Sequence, residues 1–283
     1  MLDLHARLAT LRVKAQTRQA PSPRPTAEAL AASLGGRVVA ADVIEVSQSL
    51  PLPVRHGRVA IASGRALAAA ARAVGRLPEA VAPDSLLFLD TETTGLAGGT
   101  GTVAFAVGLA WLESRRLRVV QWLITGFAGE RELLDRVRAR LAAAGLLVTF
   151  KGKSFDVPLL KARARLVRSE LPLDDLGHVD LLHATRRFLN AGWPDCRLRT
   201  AEVEALRLRR VNDLPGSEAP AAWRSWLERG DGSLLGRVLE HNRADLLSLA
   251  ALLALLERPT AREAPLFHGL RGSRVASALA GSN

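Results

Sequence analysis

The sequence predicts an α/β fold in which a mixed β-sheet is flanked by helices, and three observations support this. Residues 86–89 form a nearly continuous apolar run, typical of a strand buried on both faces. Strand patterns follow over residues 103–111 and 117–124, with a connection short enough for an antiparallel hairpin. A helical pattern over residues 130–144 then precedes a strand pattern over residues 146–150. This order indicates a mixed sheet with helices packed on it.

The composition indicates a folded protein with one main domain. Of its 283 residues, 48% are hydrophobic, which is enough for one sizeable core and an appendage. Cys196 is the only cysteine, which excludes an intrachain disulfide and a cysteine-based zinc site and suits a reducing compartment. The longest apolar stretch, residues 246–256, is too short to span a bilayer, and the N-terminus lacks the apolar core of a signal peptide. We therefore expect a cytoplasmic protein without a membrane partner.

Residues 1–80 are expected to form a basic N-terminal extension. The chain has a net charge of +11, and this segment holds eleven Lys or Arg residues against five Asp or Glu residues. A basic amphipathic helix pattern over residues 2–19 precedes a proline-rich linker, and residues 36–46 and 64–74 indicate a strand and a helix. Such a segment fits an arm that binds the nucleic-acid backbone, and it fits an ordinary solvated helix surface equally well.

Two acids follow the buried strand directly. Because strand side chains alternate, Asp90 and Glu92 are expected to project from one face. Two carboxylates so close together repel each other, and a cation between them relieves both this repulsion and the cost of burial. For this pair alone, solvated acids at a strand end are the simpler interpretation. The glycines that come next indicate a tight turn.

Other acids lie on two predicted helices. Asp156 opens a helical pattern beside Phe155, where an acid is also a common cap or helix-dipole partner. The last long helix is predicted from residue 233 to residue 256, and His241 and Asp245 share one face of it at the edge of the apolar stripe. We expect a ligand or salt-bridge role for them, and a structural pair packing against an arginine is the alternative.

Two further polar clusters have simple explanations. Lys151 and Lys153 are suited to holding phosphate, or are merely solvated. His178, Asp180 and His183 resemble a metal cluster, but on a helix they are better explained as polar neighbours. A zinc site would need further ligands.

Several phrases in the sequence resemble the YprB-type ribonuclease H-like proteins of the DEDD exonuclease superfamily. In chain order they are FLDTETTGLAGGTGTVAF, VTFKGKSFDVPLL, HVDLLHATRRF, DLPGSEAP and EHNRADLLSL. The resemblance covers residues 83–256. It implies a ribonuclease H-like exonuclease domain over residues 83–257 and does not account for the basic extension before it. The Gly, Ser and Arg content that follows indicates a loose C-terminal tail over residues 258–283.

The same resemblance implies an active site and an activity. Two Mg²⁺ or Mn²⁺ ions would be held by Asp90, Glu92, Asp156 and Asp245. Such ions, roughly 4 Å apart, stabilise both the attacking and the leaving oxygen of a phosphodiester. His241 would orient or deprotonate the attacking water. Residues that would contact the substrate are Thr93, Thr94, Gly95, Leu96, Lys151, Lys153 and Phe155. The expected enzyme is a metal-dependent 3′ to 5′ exonuclease acting on single-stranded DNA or RNA ends.

Two departures from the family pattern affect these roles. His241 precedes Asp245 by four residues, whereas the histidine-type branch of the superfamily usually has five. One helical step turns a side chain by about 100°, so His241 is a candidate for positioning water as well as for accepting its proton. Lys151 stands where relatives often carry Asn. The alternative functions are a non-catalytic nucleic-acid-binding module with the same fold, which the retention of every acid disfavours, and a structure-selective endonuclease.

Overall fold

The computed structural model describes residues 25–77, 80–95 and 101–256. The strands in these ranges are β1 Arg37–Ala40, β2 Val43–Pro51, β3 Val54–His56, β4 Val59–Ile61, β5 Leu86–Thr93, β6 Ala104–Glu113, β7 Arg116–Ile124, β8 Leu146–Thr149 and β9 Gly177–Asp180. Within the described chain they form a seven-stranded sheet of order β1-β2-β7-β6-β5-β8-β9 and a hairpin of β3 and β4. The sheet is antiparallel from β1 to β5, while β5, β8 and β9 are parallel.

Helices cover both faces of this sheet. They are α1 Ala27–Ser33, α2 Gly64–Gly75, α3 Glu130–Leu141, α4 Asp156–Leu166, α5 Leu181–Phe188, α6 Leu198–Ala201, α7 Ala219–Arg229 and α8 Leu235–Leu256. The last of them begins at Leu235 rather than at residue 233, and the Val238 N–H donates to the Leu234 oxygen at its start. None of the helices in the described ranges has the length and apolar composition needed to cross a bilayer.

Strand β5 is buried on both faces, as its apolar run predicts. Leu86 and Phe88 belong to one apolar cluster, and Leu87 and Leu89 belong to the other. The predicted hairpin is confirmed, since β6 and β7 pair in antiparallel register up to the Glu113 and Arg116 pair. The mixed α/β architecture expected from the sequence is therefore present, with β5 near its centre.

The N-terminal segment is more closely integrated than the sequence indicates. Residues 36–46, expected as one strand, contain β1 and the start of β2 with a turn between them. Strand β2 pairs with β7 along its full length, from Val43 opposite Ile124 to Pro51 opposite Arg116. The main sheet therefore extends into the segment expected to be a separate extension.

The other expectations for the termini have different outcomes. The helix expected over residues 64–74 is confirmed as α2. The helix expected over residues 2–19 and the tail over residues 258–283 lie outside the described residues.

The position of β2 generates a test of stability. Ile44 is fully buried in the core, so Ile44→Ala is expected to lower the free energy of unfolding by about 2–5 kcal/mol. Urea denaturation followed by circular dichroism measures this change. Ser47→Ala, at an exposed position of the same strand, is the matched control and should change stability by less than about 0.5 kcal/mol. Equal effects of the two substitutions would contradict the placement of β2 in the core.

Candidate active site

A pocket of about 450 Å³ opens at the C-terminal end of β5. It is lined by Asp90, Thr91, Glu92, Thr93, Gly95, Phe155, Gly216, Ser217, Pro220, His241 and Asp245. Strand β5, the residue before α4, the loop before α7 and helix α8 therefore meet at one place. A larger depression of about 580 Å³ lies by the segment of residues 169–175 and contains none of the candidate residues.

The end of β5 is accessible because its two neighbouring strands differ in length. Strand β6 stays paired with β5 as far as Thr93, with an irregularity after Glu92. On the other side, β8 pairs with β5 only from Leu86 to Phe88. Asp90 and Glu92 thus lie beyond the end of β8, where the open edge of β5 faces the start of α4.

Asp90 is fixed by a buried amide chain. Asn242 Nδ2 on α8 donates to Asp90 Oδ2 at 2.7 Å and to the Asp90 backbone oxygen at 3.1 Å. Gln121 Nε2 on β7 donates to Asn242 Oδ1 at 2.8 Å. At Gly108 of β6, a Cβ atom would lie 2.0 Å from Asn242 Oδ1, so the glycine leaves room for this carboxamide. These hydrogen bonds set the orientation of Asp90. Its Oδ1 atom does not accept from Asn242.

Asp156 is the first residue of α4 and lies beside strand β5. The Thr91 hydroxyl on β5 donates to Asp156 Oδ1 at 2.5 Å, which joins the start of α4 to the open edge of β5. Asp156 itself does not line the pocket and is buried. The predicted helix start is therefore confirmed, and Thr91 is the residue that fixes its position.

Asp245 lines the pocket and also forms an ion pair with Arg210. The Arg210 guanidinium also pairs with Glu202, which is 1% exposed at its side chain. Glu202 in turn accepts a hydrogen bond from Ser248, whose Oγ lies 2.7 Å from His56 Nε2. The arginine pair considered as the alternative for Asp245 is present. The loop residue Arg210 carries no periodic signal that would reveal this role in the sequence.

His241 faces the pocket with one ring nitrogen and the loop before α7 with the other. Its Nδ1 atom lies 2.8 Å from Asp213 Oδ1, and its Nε2 atom lies 3.8 Å from Asp245 Oδ2. The four-residue spacing on α8 therefore does bring His241 and Asp245 to the same pocket. Asp213 was not among the predicted site residues, although it opens the phrase DLPGSEAP.

The electrostatics of the pocket are dominated by buried like charges. Burial, reinforced by the charges of Asp245 and Asp156, raises the pKa of both Asp90 and Glu92 well above the usual range. Burial likewise raises the pKa of Asp156 to about 6, against the hydrogen bond from Thr91. Although burial disfavours its charge, the carboxylates of Asp245 and Glu202 raise the pKa of Arg210. Full ionisation of these acids would place more negative charge at the site than Arg210 offsets, so the charged forms are disfavoured without a cation.

Only some of the predicted substrate-contacting residues line the pocket. Thr93, Gly95 and Phe155 line the pocket. Thr94 fixes the turn instead, since its Oγ1 accepts from the Val103 N–H at 3.0 Å. Leu96 lies outside the described residues.

Lys151 and Lys153 are the remaining predicted substrate-contacting residues. The side chains of Lys151 and Lys153 are exposed and do not line the pocket. Their backbone N–H groups donate to the Asp180 carboxylate at 2.7 Å and 3.1 Å. Asp180 thus holds the turn that leads into α4.

The cluster at His178 differs from its prediction in one respect. His178 and Asp180 lie on β9 and not on a helix, and only His183 lies on α5. Asp180 caps α5 by accepting from the Leu182 N–H at 3.0 Å. His178 Nε2 lies 2.8 Å from Thr149 Oγ1, and burial lowers its pKa to about 4. These contacts support the interpretation of a structural cluster.

Comparison with known proteins decides the family. The RNase_H_2 model, of the RNase_H superfamily, matches residues 87–257. The chain belongs to the RNase_H superfamily. The YprB protein of Bacillus subtilis (strain 168) is 39% identical to it over 170 residues, which are 60% of this chain and 41% of YprB. The chain thus spans less than half the length of that relative, and the recognised ribonuclease H-like fold is confirmed.

Two solved structures are similar to parts of this superfamily member. The family B DNA polymerase from Pyrobaculum calidifontis matches 59% of this chain and 24% of its own, with 13% identity and a TM-score of 0.47. E. coli Exonuclease I in complex with a dT13 oligonucleotide matches 62% of this chain and 41% of its own, with 14% identity and a TM-score of 0.40.

The acids at the pocket fit divalent cations by their chemistry. Ribonuclease H-like nucleases generally use such ions, and carboxylate oxygens are the ligands that Mg²⁺ and Mn²⁺ prefer. Within the described residues, however, no group of three or more His, Cys, Asp or Glu side chains is arranged to hold a metal ion. Asp245 instead pairs with Arg210, and Asp90 with Asn242. These contacts use Asp245 Oδ1 and Asp90 Oδ2, so the second oxygen of each carboxylate is available to a cation.

The raised pKa of Asp156 predicts a pH-dependent stability. Asp156 ionises near 3.8 in the unfolded chain and near 6 in the folded protein, so the folded state binds more protons between these values. Its contribution to stability therefore falls as the pH rises through this window. Asp156→Asn keeps the acceptor for Thr91 and removes the charge. In chelator, the variant should match the wild type near pH 4 and exceed it at pH 7 by on the order of 2–3 kcal/mol.

Urea denaturation at the two pH values measures this difference. Asp174→Asn is the control, because the Asp174 side chain is 82% exposed, and it should follow the wild type at both pH values. An Asp156→Asn variant that is no more stable than the wild type at pH 7 would show that burial does not penalise this charge.

Proposed function

We propose that this protein is a metal-dependent 3′ to 5′ exonuclease that hydrolyses phosphodiester bonds at single-stranded DNA or RNA ends. Membership of the RNase_H superfamily supports a nuclease-type function. The observation that carries the proposal is the meeting of Asp90, Glu92, Asp245 and His241 at one pocket, with Asp156 joined to the same strand. These are the residue types that metal-assisted phosphodiester hydrolysis requires.

In this proposal, Asp90, Glu92, Asp156 and Asp245 hold two Mg²⁺ or Mn²⁺ ions. When bound, such ions activate water and offset the charge that develops on the leaving 3′ oxygen. The chain itself supplies the orientation of the ligands. Asn242 directs Asp90, Thr91 directs Asp156, and Arg210 directs Asp245 through its Oδ1 atom.

His241 has a role in the same reaction. Its Nε2 atom faces the pocket on the side of Asp245, where it is placed to orient the attacking water and to accept its proton. An imidazole is suited to this step because its unperturbed pKa, about 6.5, lies close to neutral pH.

The pocket favours a single strand end as the substrate. Its volume of about 450 Å³ is in the range of small-ligand pockets and suits one terminal nucleotide better than a continuous duplex. Phe155 is half-buried at its rim and offers a ring on which a base can stack. The exposed Lys151 and Lys153 precede it in the chain and are available to the phosphates of the strand that leaves the pocket.

One observation favours a second candidate, a nucleic-acid-binding module without catalysis. The Arg210 guanidinium already pairs with Asp245 Oδ1, and its positive charge beside the acids opposes the binding of a divalent cation. Such a protein would bind single strands in the presence of a chelator and would release no nucleotide when Mg²⁺ is added.

The proposal predicts the products of a cleavage assay. With 5′-labelled single-stranded oligonucleotides and Mg²⁺, the wild type should produce a ladder of progressively shorter labelled strands. Asp90→Asn removes one ligand charge and should slow this shortening by roughly 100-fold or more. Asp174→Asn, at an exposed site away from the pocket, is the matched control and should cleave at the wild-type rate. Equal rates for Asp90→Asn and the wild type would refute the assignment.

Circular single strands separate the exonuclease from an endonuclease. A circle has no end, so it should persist under conditions in which the linear strand is shortened. Its linearisation by the wild type, with loss of that activity in Asp90→Asn, would replace the proposed exonuclease by an endonuclease using the same site.

A further inference from the structure

The loop between α6 and α7 brings an additional carboxylate to His241. Asp213 Oδ1 lies 2.8 Å from His241 Nδ1, and only 12% of the Asp213 side chain is exposed. Asp213 does not line the pocket, so it contacts the side of the imidazole ring that is turned away from the proposed substrate. Its position is that of a residue acting through His241.

The distances determine where the proton of neutral His241 lies. If Nδ1 carried no proton, its lone pair would face a carboxylate lone pair at 2.8 Å, and the two would repel. A proton on Nδ1 converts the same contact into a charge-assisted hydrogen bond. Nε2 then has no proton and presents its lone pair to the pocket, 3.8 Å from Asp245 Oδ2.

Arg210 is the competing partner for Nδ1, and the geometry disfavours it. Arg210 Nη1 lies 3.3 Å from His241 Nδ1, which is longer than the contact from Asp213. The same Nη1 atom has a different acceptor in the backbone oxygen of His241 at 3.3 Å, and it faces Asp213 Oδ2 at 3.7 Å. The guanidinium thus stabilises the Asp213 carboxylate in the orientation that accepts a hydrogen bond from the imidazole Nδ1–H.

Helix α8 holds the loop at this distance. Arg237 lies one helical turn before His241, and its Nη2 atom donates to the backbone oxygens of Asn212 at 3.0 Å and Asp213 at 3.3 Å. Asn212 adopts a left-handed backbone conformation with φ 57°, which is less unfavourable for Asn than for most residues. The helix that carries the imidazole therefore also anchors the loop that carries its carboxylate partner.

We propose that Asp213 is a positioning residue that keeps His241 in the Nδ1–H tautomer, with Nε2 directed into the pocket as a proton acceptor. The inference rests on the proposed nuclease function and specifies how His241 serves it. In the other tautomer, Nε2–H would be a donor and could not take a proton from water. With this arrangement, the four-residue spacing from Asp245 is compatible with a full general base and not only with positioning of water.

The tautomer is measured without any activity. Long-range ¹⁵N–¹H correlation spectra of the metal-free full chain, recorded near pH 8.5 where imidazole is ordinarily neutral, distinguish the protonated from the unprotonated ring nitrogen. The His241 signals are assigned by their loss in His241→Gln. In the wild type Nδ1 should be protonated, and in Asp213→Ala this preference should be lost. A proton on Nε2 of wild-type His241 would overturn the proposal.

Asp213→Asn keeps the shape of the side chain, so it replaces Asp213→Ala in this experiment if that variant fails to fold. It should give a mixture of the two His241 tautomers. Glu218→Gln alters an exposed acid near the same loop and should leave the His241 spectrum unchanged. An Asp213→Asn spectrum identical to that of the wild type would contradict a role for the carboxylate charge.

A double-mutant cycle tests whether Asp213 acts through His241. Asp213→Ala alone should slow nucleotide release by roughly 100-fold, and it should have little further effect in a His241→Ala background. Equal slowing in both backgrounds would show a structural role through Arg210 and would overturn the proposal. The expected tautomer in a protein that cleaves nothing would refute the proposed function and leave the positioning of His241 intact.

Discussion

The arrangement of the pocket depends on how helix α8 is held against the end of β5. Leu239 and Leu246 are buried on either side of the polar segment that contains His241, Asn242 and Asp245. Because the apolar residues before and after this segment are packed into the core, its polar side chains have to face the acids of β5. The sheet leaves these acids accessible, because β8 ends before it could cover Asp90 and Glu92.

Gathering carboxylates in this way opposes folding, and the structure limits the penalty by giving three of the acids a partner. Asp90 has an amide from Asn242, Asp156 has a hydroxyl from Thr91, and Asp245 has a guanidinium from Arg210. Neutral donors do not remove the repulsion, so the pKa values of Asp90, Glu92 and Asp156 stay raised. Groups perturbed in this manner are enriched at functional sites. The buried Arg210 guanidinium offsets part of the Asp245 charge through Oδ1 and leaves Oδ2 open to a cation.

The sequence revealed those parts of the fold that have a local pattern. The apolar run of β5, the β6 and β7 hairpin and the amphipathic helix α3 are each encoded within a few consecutive residues. The pairing of β2 with β7 joins segments far apart in the chain, and no local pattern specifies it. The basic excess over residues 1–80 therefore predicts an N-terminal extension and does not reveal that β2 belongs to the main sheet.

The residues of the candidate site divide in the same way between local patterns and long-range contacts. The family resemblance implies the acids at 90, 92, 156 and 245 as site residues. Their spacing alone leaves solvated, capping or salt-bridge roles open. Gln121 had a weak signal as a polar residue within an apolar strand. Arg210 and Asp213 lie in a loop without periodicity, and Glu202 owes its role to a contact with that loop. Such contacts arise only when the loop is folded against α8.

The central claim is that the acids of β5, α4 and α8 together hold divalent cations. A crystal structure of the protein grown with Mn²⁺, with anomalous diffraction data, tests it most directly. Anomalous peaks are expected between Asp90, Glu92 and Asp245. The absence of any peak among these acids at millimolar Mn²⁺ would contradict the account.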